Sequence, residues 1–328
     1  MLIKHYVAYW YTTYKMPMHA ETTAQVTMNY INVHIVRSKL GNMELSEAHT
    51  ADFQEFLRDL LMHGNKCRLK GIDSYGKPLG FWTVRKIRQL LISAYNQAIK
   101  EGLVIRNYAA ETAPISIPYK SMNIFSAEQQ QKFLDHTRNH RFYAAYVLLF
   151  YTGMRRSELL GLSWNNINWQ KNTILINQTL VVVNGKPILK QRTKTSRSLR
   201  SIPIPDAVKA ILRDWYHRQN REKRIAETWI NTYNLVFVNL DGSPHNPVYF
   251  SRNFKNILKR MKLPPDLHLH STRHTWATNM MQCDNPITDV QSLGGWSRPD
   301  VLLNIYAHTV QKSQRKAIGR LFKYLHSK

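Results

Sequence analysis

Apolar residues recur at helical spacing through most of this chain, and over residues 173–204 the period changes. That change of period limits the architecture to helices before and after a few inserted strands. In SEAHTADFQEFLRDLLMHG, Phe53, Phe56, Leu57, Leu60 and Leu61 fall at i, i+3, i+4, i+7 and i+8, one face of a helix that Gly64 can end. FWTVRKIRQLLISAYNQAIKEG repeats the pattern with Val84, Ile87, Leu91, Ala94 and Ala98, and Gly102 stands at its stop. Helices are also predicted over residues 3–14 and 23–38. FSAEQQQKF carries Ser126 and Gln129 spaced as a capping box. HRFYAAYVLLFYTG, apolar nearly all round, predicts a buried helix. At the break, TILINQTLVVVNGKPILKQRTK is rich in β-branched residues and contains Asn184-Gly185, a strong hairpin signal. SLRSIPIP predicts a third strand. The chain then reads helical again, apart from NLVFVNLDG.

ETAPISIPYKSMN, residues 111–123, has two prolines and no helical period. It is predicted as a linker between a helical domain over residues 1–110 and a larger domain over residues 124–328. The expected class is mainly α with a small antiparallel β-sheet in the second domain (α+β). A chain of 328 residues is long enough for two cores.

The formal charge of +25 calls for a polyanionic partner, because self-repulsion of this size opposes compaction. The opening, MLIKHYVAYWYTTYK, is broken by polar residues and lacks the continuous apolar run of a membrane span. Nucleic acid is therefore the expected partner, and no membrane is expected. Two cysteines far apart, Cys67 and Cys283, make no disulfide framework and point to a reducing, cytoplasmic setting. His268, His270 and His274 have loose spacing and no C-x-x-C beside them, so no metal site is expected.

Four segments form an ordered set. TGMRRSELLGLSW resembles the first arginine box of the tyrosine recombinases, the phage-integrase family, with its T-G-x-R-x-x-E pattern. TKTSRSLRSIPI is similar to that family's K-T-x-x-S-x-R-x-I-P hairpin segment. HLHSTRHTWAT resembles its H-x-x-R-H-T box, and LGGWSRPDVLLNIYAHT its terminal tyrosine box. The strong likeness runs from about Thr152 to Ala307, and a weaker one to the family's helical core-binding domain covers most of residues 1–110. Each position alone has an ordinary reading: Arg155 as surface charge, Lys194 as part of a basic patch, Tyr306 as core. The ordered set is far more specific than any one box.

The resemblance implies a site-specific DNA recombinase or integrase, working through a covalent 3′-phosphotyrosine with no metal, cofactor or ATP. Tyr306 would attack the phosphodiester. Arg155 and Arg273 would hold its non-bridging oxygens, since guanidinium forks match phosphate and stay charged. His270 would manage the tyrosine proton, and Lys194 would protonate the departing 5′ oxygen. Trp296 stands where many relatives have histidine; its indole N–H donates but cannot accept, so packing plus a phosphate contact is expected. In the T-G-x-R register Arg155 faces inward, and Arg156 is expected to face solvent or DNA. On TVRKIRQLL, Arg85, Lys86 and Arg88 are candidate DNA contacts beside a helix's polar side. The resemblance further implies that the two domains clamp a double-stranded recombination site, that a homotetramer forms on DNA, and that accessory directionality or DNA-bending proteins can take part. An arm-type DNA-binding domain, carried by some members ahead of this region, is expected to be absent. Two competing classes stay open: a type IB topoisomerase-like enzyme and a catalytically silent DNA-binding protein. Retention of all six polar positions argues against the latter.

The step from Trp296 to Tyr306 is one residue longer than the family's usual spacing. Pro299 can place the extra residue in a turn before the helix rather than inside it. A residue added inside the helix would instead rotate the tyrosine by about 100° away from the site. Tyr324 is the only tyrosine further along, and it lacks the Ala-His continuation that follows Tyr306. On a nicked suicide duplex, Tyr306→Phe is expected to bind DNA and form no covalent adduct, while Tyr324→Phe still forms one. An adduct surviving in Tyr306→Phe would overturn both the assignment and the placement of the extra residue.

Overall fold

Ile3, Tyr6, Val7 and Trp10 share the buried face of α1 (Ile3–Trp10), which continues through a wider π turn at Tyr11–Lys15. The computed structural model describes residues 1–66, 74–118, 123–191 and 199–300, and residues 302, 303, 318, 319, 321, 322 and 324–326. The chain divides into two compact units, Met1–Lys120 and Ser121–Lys328.

In the first unit, α2 (Glu21–Tyr30) also runs on into a π turn, Ile31–Ile35, which buries Ile31 and Ile35. On α3 (Thr50–His63), Phe53, Phe56, Leu57 and Leu60 are buried, as their spacing requires; Leu61 lies at the margin. On α4 (Phe81–Lys100), Val84, Ile87, Leu91, Ala94 and Ala98 form the inner stripe. These faces meet in one core, where Phe53 and Tyr95 pack edge to face at 5.1 Å. The start of the 111–123 segment is tied to this unit. Arg88 donates to the Thr112 hydroxyl and carbonyl, both at 2.7 Å, and to the Ala110 carbonyl at 3.1 Å. The Ala113 N–H donates to the Gln54 side chain. These bonds satisfy backbone groups that the prolines keep out of regular structure.

In the second unit, Ser126 and Gln129 cap α5 (Ala127–His136) reciprocally, as their spacing predicts. The next helix, α6 (Tyr143–Thr152), runs through the core with Ala144 to Phe150 all buried. Next comes the short α7 (Arg156–Leu160). The residues around the period break then form two sheets rather than one. β1 (Ile167–Asn168) and β2 (Thr173–Ile176) pair antiparallel, and β3 (Gln178–Val183) and β4 (Lys186–Gln191) form the hairpin. Its turn has Asn184 and Gly185 at φ 50° and 78°, the doubly positive geometry this pair favours. The third predicted strand, β5 (Arg200–Pro203), joins β2 instead of the hairpin, with Ile174 opposite Ile202 and Ile176 opposite Arg200. Burial decides this pairing: Ile174, Ile176 and Ile202 are all within the core, whereas β4 turns largely to solvent. Further along the described residues come α8 (Asp206–Ile225), α9 (Pro247–Arg260), α10 (Leu269–Gln282) and α11 (Ile287–Gly294). No helix among the described residues is long and apolar enough to cross a membrane.

Candidate active site

The buried helix α6 ends at Gly153, whose φ of 62° is left-handed and whose Cβ position would lie 2.3 Å from the Trp276 ring. A side chain fits there neither conformationally nor sterically. This turn delivers Arg155 to the N-cap of α7, in extended conformation. The Arg155 backbone N–H donates to Glu158 at 2.9 Å, and its guanidinium donates to the other Glu158 oxygen and to the Gly295 carbonyl, each at 2.8 Å. The Glu158 side chain is fully buried, and its two oxygens also accept from Arg200 at 3.2 and 2.7 Å. Burial pushes the Glu158 carboxyl up, but Arg200 and then Arg155 outweigh it and bring it down to about 2. Arg200 further donates to the Leu293 carbonyl at 2.6 Å.

Arg200 had no role assigned from sequence. The signal was present in R-S-I, because strand alternation puts Arg200 on the same inward face as Ile202. Only the pairing of β5 with β2 shows that this face is the buried one.

Arg273, on α10, is 1% exposed and donates to the Gly153 carbonyl at 2.6 Å. Its guanidinium carbon lies 3.6 Å from the centre of the Trp296 ring, which in turn stacks on Trp276 at an interplanar angle of 10°. Trp296 thus forms a flat cover on the arginine. His270 and His274 meet edge to face at 4.6 Å, one turn apart on α10. Burial, followed by the charge of Arg273, lowers His270 to about 4; burial, then His270 and Arg273, lowers His274 to about 3. Both imidazoles are therefore neutral near pH 7.

Arg155, Arg156, Ser251, Lys255, His268 and His270 line a cleft of about 590 Å³. The two adjacent arginines diverge: Arg155 turns to Glu158 and Gly295, while Arg156 donates to the Ser251 hydroxyl at 2.7 Å and to the Pro247 carbonyl on α9. Arg156 is thus exposed yet tethered. Lys194 and Tyr306 lie outside the described residues. In the first unit, Arg85 and Lys86 are exposed on α4, with Arg85 stacked over Trp82, whereas Arg88 clamps residues 110–112. Among the described residues, no group of three His, Cys, Asp or Glu side chains is arranged to hold a metal ion.

The neutral histidines make folding acid-sensitive. An unfolded histidine charges near 6.5, while the folded His270 resists protonation down to about 4. Below 6.5 the unfolded chain binds protons that the folded chain does not, so stability falls as pH drops from 6.5 toward 4. Thermal unfolding across that interval is expected to show a steeper loss of Tm for wild type than for His270→Asn/His274→Asn. Equal losses would mean that the two rings are not held neutral.

The sequence model of the phage integrase family matches residues 123–313, more than half of the chain. A XerC-like tyrosine recombinase of Caldanaerobacter subterraneus is 26% identical over 306 residues, which cover 88% of this chain and 74% of the relative. The transposase of transposon Tn916 from Enterococcus faecalis is 24% identical, over 84% and 73% of the two chains. Among solved structures, the Tn1549 transposon integrase in complex with transposon right end DNA superposes with a TM-score of 0.80 at 20% identity, over 98% of this chain and 99% of that one. A lambda integrase tetramer bound to a Holliday junction gives 0.66 at 17% identity, over 91% and 78%. With its boxes in order, Arg155 and His270 lining one cleft and the family match over residues 123–313, the chain belongs to the phage integrase family of tyrosine recombinases, enzymes of site-specific DNA strand exchange.

Proposed function

We propose that this recombinase integrates or excises a mobile element, with Tyr306 as nucleophile and with Arg155, Arg273, His270, Lys194 and Trp296 around the scissile phosphate. The Tyr306 oxygen attacks phosphorus and the bond to the 5′ oxygen breaks. His270 accepts the tyrosine proton, and Lys194 gives a proton to the departing oxygen. A 5′ hydroxyl from a second duplex then attacks the phosphotyrosine and releases the tyrosine, so the ester is conserved and no ATP is consumed. The observation that carries this reading is that Arg155 and His270 line one cleft while the charge of Arg273 acts on His270. A neutral imidazole can accept a proton, and fixed guanidinium groups suit the charge that develops on a pentacoordinate phosphorus. The transposase and transposon-integrase relatives favour a mobile element over other uses of the chemistry.

In this reading the first unit is the core-binding domain, with Arg85 and Lys86 on DNA phosphates and Arg88 holding its own unit together. Arg156 adds a DNA contact at the cleft. The reaction takes place on DNA in the cytoplasm, in a homotetramer assembled on two duplexes. The tail supports assembly: Ile318, Leu321, Phe322 and Leu325 form a helical stripe, and each is more than half exposed within the single chain. A second copy of the chain would cover that stripe.

Two experiments follow. Arg155→Ala is expected to lower covalent adduct formation by about 10²–10³ or more at unchanged DNA binding, while Arg156→Ala retains most activity; equal loss at matched binding would overturn the register. Truncation after Val310 in a Tyr306→Phe background is expected to weaken synapsis of two duplexes, seen by native gel, more than binding to one. Normal synapsis by the truncated chain would assign the tail to packing alone.

A further inference from the structure

Arg200 is 8% exposed and lies deeper than Arg155, away from the cleft lining. Its guanidinium spans both Glu158 oxygens on α7 and the Leu293 carbonyl on α11. Glu158 in turn holds the Arg155 backbone and side chain, and Arg155 holds the Gly295 carbonyl. The chain of contacts closes on itself: β5 to Glu158 to Arg155 to the Gly295 turn, and from that turn back to Arg200, which packs beneath it. A Cβ on Gly295, at φ 68°, would lie 2.8 Å from the Arg200 Nη1. The next residue is Trp296, the cover on Arg273.

We infer that Arg200 is a positioning residue for strand cleavage, neutralising Glu158 so that Arg155 stays directed to the cleft and tying the Gly295–Trp296 turn to the same anchor. The inference rests on the proposed role of Arg155 at the phosphate. The physical reason is a division of charge. Arg155 and Arg200 share one buried carboxylate, so neither guanidinium is fully neutralised by it. Without Arg200 the Glu158 charge draws more strongly on Arg155, and that pair closes up at the expense of the phosphate. A bidentate fork with a third donor, Nε, available for the Leu293 carbonyl is geometry that lysine cannot reproduce.

The test is a double-mutant cycle on the full chain with a nicked suicide duplex, measuring the rate of adduct formation at saturating protein separately from duplex Kd. Arg200→Met is expected to slow adduct formation about 10- to 100-fold, the range for residues that orient a primary ligand, with Kd unchanged. Glu158→Gln in that background is expected to restore much of the rate, because the uncompensated charge is gone. A merely structural role predicts losses that add, and additive losses would overturn the inference. So would a loss confined to Kd. If Arg200→Met does not fold, Arg200→Lys keeps a cation beside Glu158 and is expected to give an intermediate loss of rate; wild-type rate in that variant would overturn the inference. Arg155→Ala run in parallel separates the two levels. If it still forms adduct, the proposed site is at fault; if it is silent and the cycle is additive, the role of Arg200 alone fails.

Discussion

A single carboxylate with no exposed surface organises this site. Glu158 lies between two guanidinium groups, and a buried charge of that kind persists only when it is paired and hydrogen-bonded. Removing one partner of such a pair typically costs about 3–5 kcal/mol. The pairing therefore draws together three pieces of chain that are remote in sequence: the start of α7, strand β5 and the turn after α11. Backbone groups join in: the Arg155 N–H donates to Glu158, and the Leu293 and Gly295 carbonyls accept from Arg200 and Arg155. Low local dielectric strengthens every one of these bonds.

The consequence is an electropositive centre that is rigid without being neutral. Arg155 and Arg200 share one anion, Glu158, while Arg273 is held at the Gly153 carbonyl and under the Trp296 ring. Burial, followed by neighbouring positive charge, keeps His270 and His274 neutral. Trp296, itself stacked on Trp276, covers one face of Arg273. The same positive excess, continued over a chain of formal charge +25, suits a polyanionic substrate.

Much of the helical framework was legible because it depends on local periodicity. The stripes of α3 and α4, the capping box of α5 and the all-round burial of α6 each follow from residues within a few positions of one another. The Asn184-Gly185 turn is equally local. The likeness of the four boxes to a known family picked out Arg155, His270, Arg273 and Trp296, and separated Arg155 from its neighbour. Less was legible where one side chain has two polar destinations. Arg88 is placed by helical spacing near a polar face, yet its guanidinium satisfies Thr112 and Ala110. Arg156 was expected outward, and it is exposed, but Ser251 of α9 tethers it.

What the sequence by itself determined is the set of local conformations and, by resemblance, the chemistry: helices by their apolar period, a hairpin by its turn pair, a phosphoryl-transfer site by its ordered boxes. What only the tertiary structure decided is partnership. β5 could pair with the hairpin or with β2, and burial of Ile174, Ile176 and Ile202 on one face selects β2. That choice turns Arg200 inward and gives Glu158 its second cation. Local propensity acts over a turn or a strand, whereas the free energy of burying a charge depends on which groups the whole fold brings within hydrogen-bonding distance.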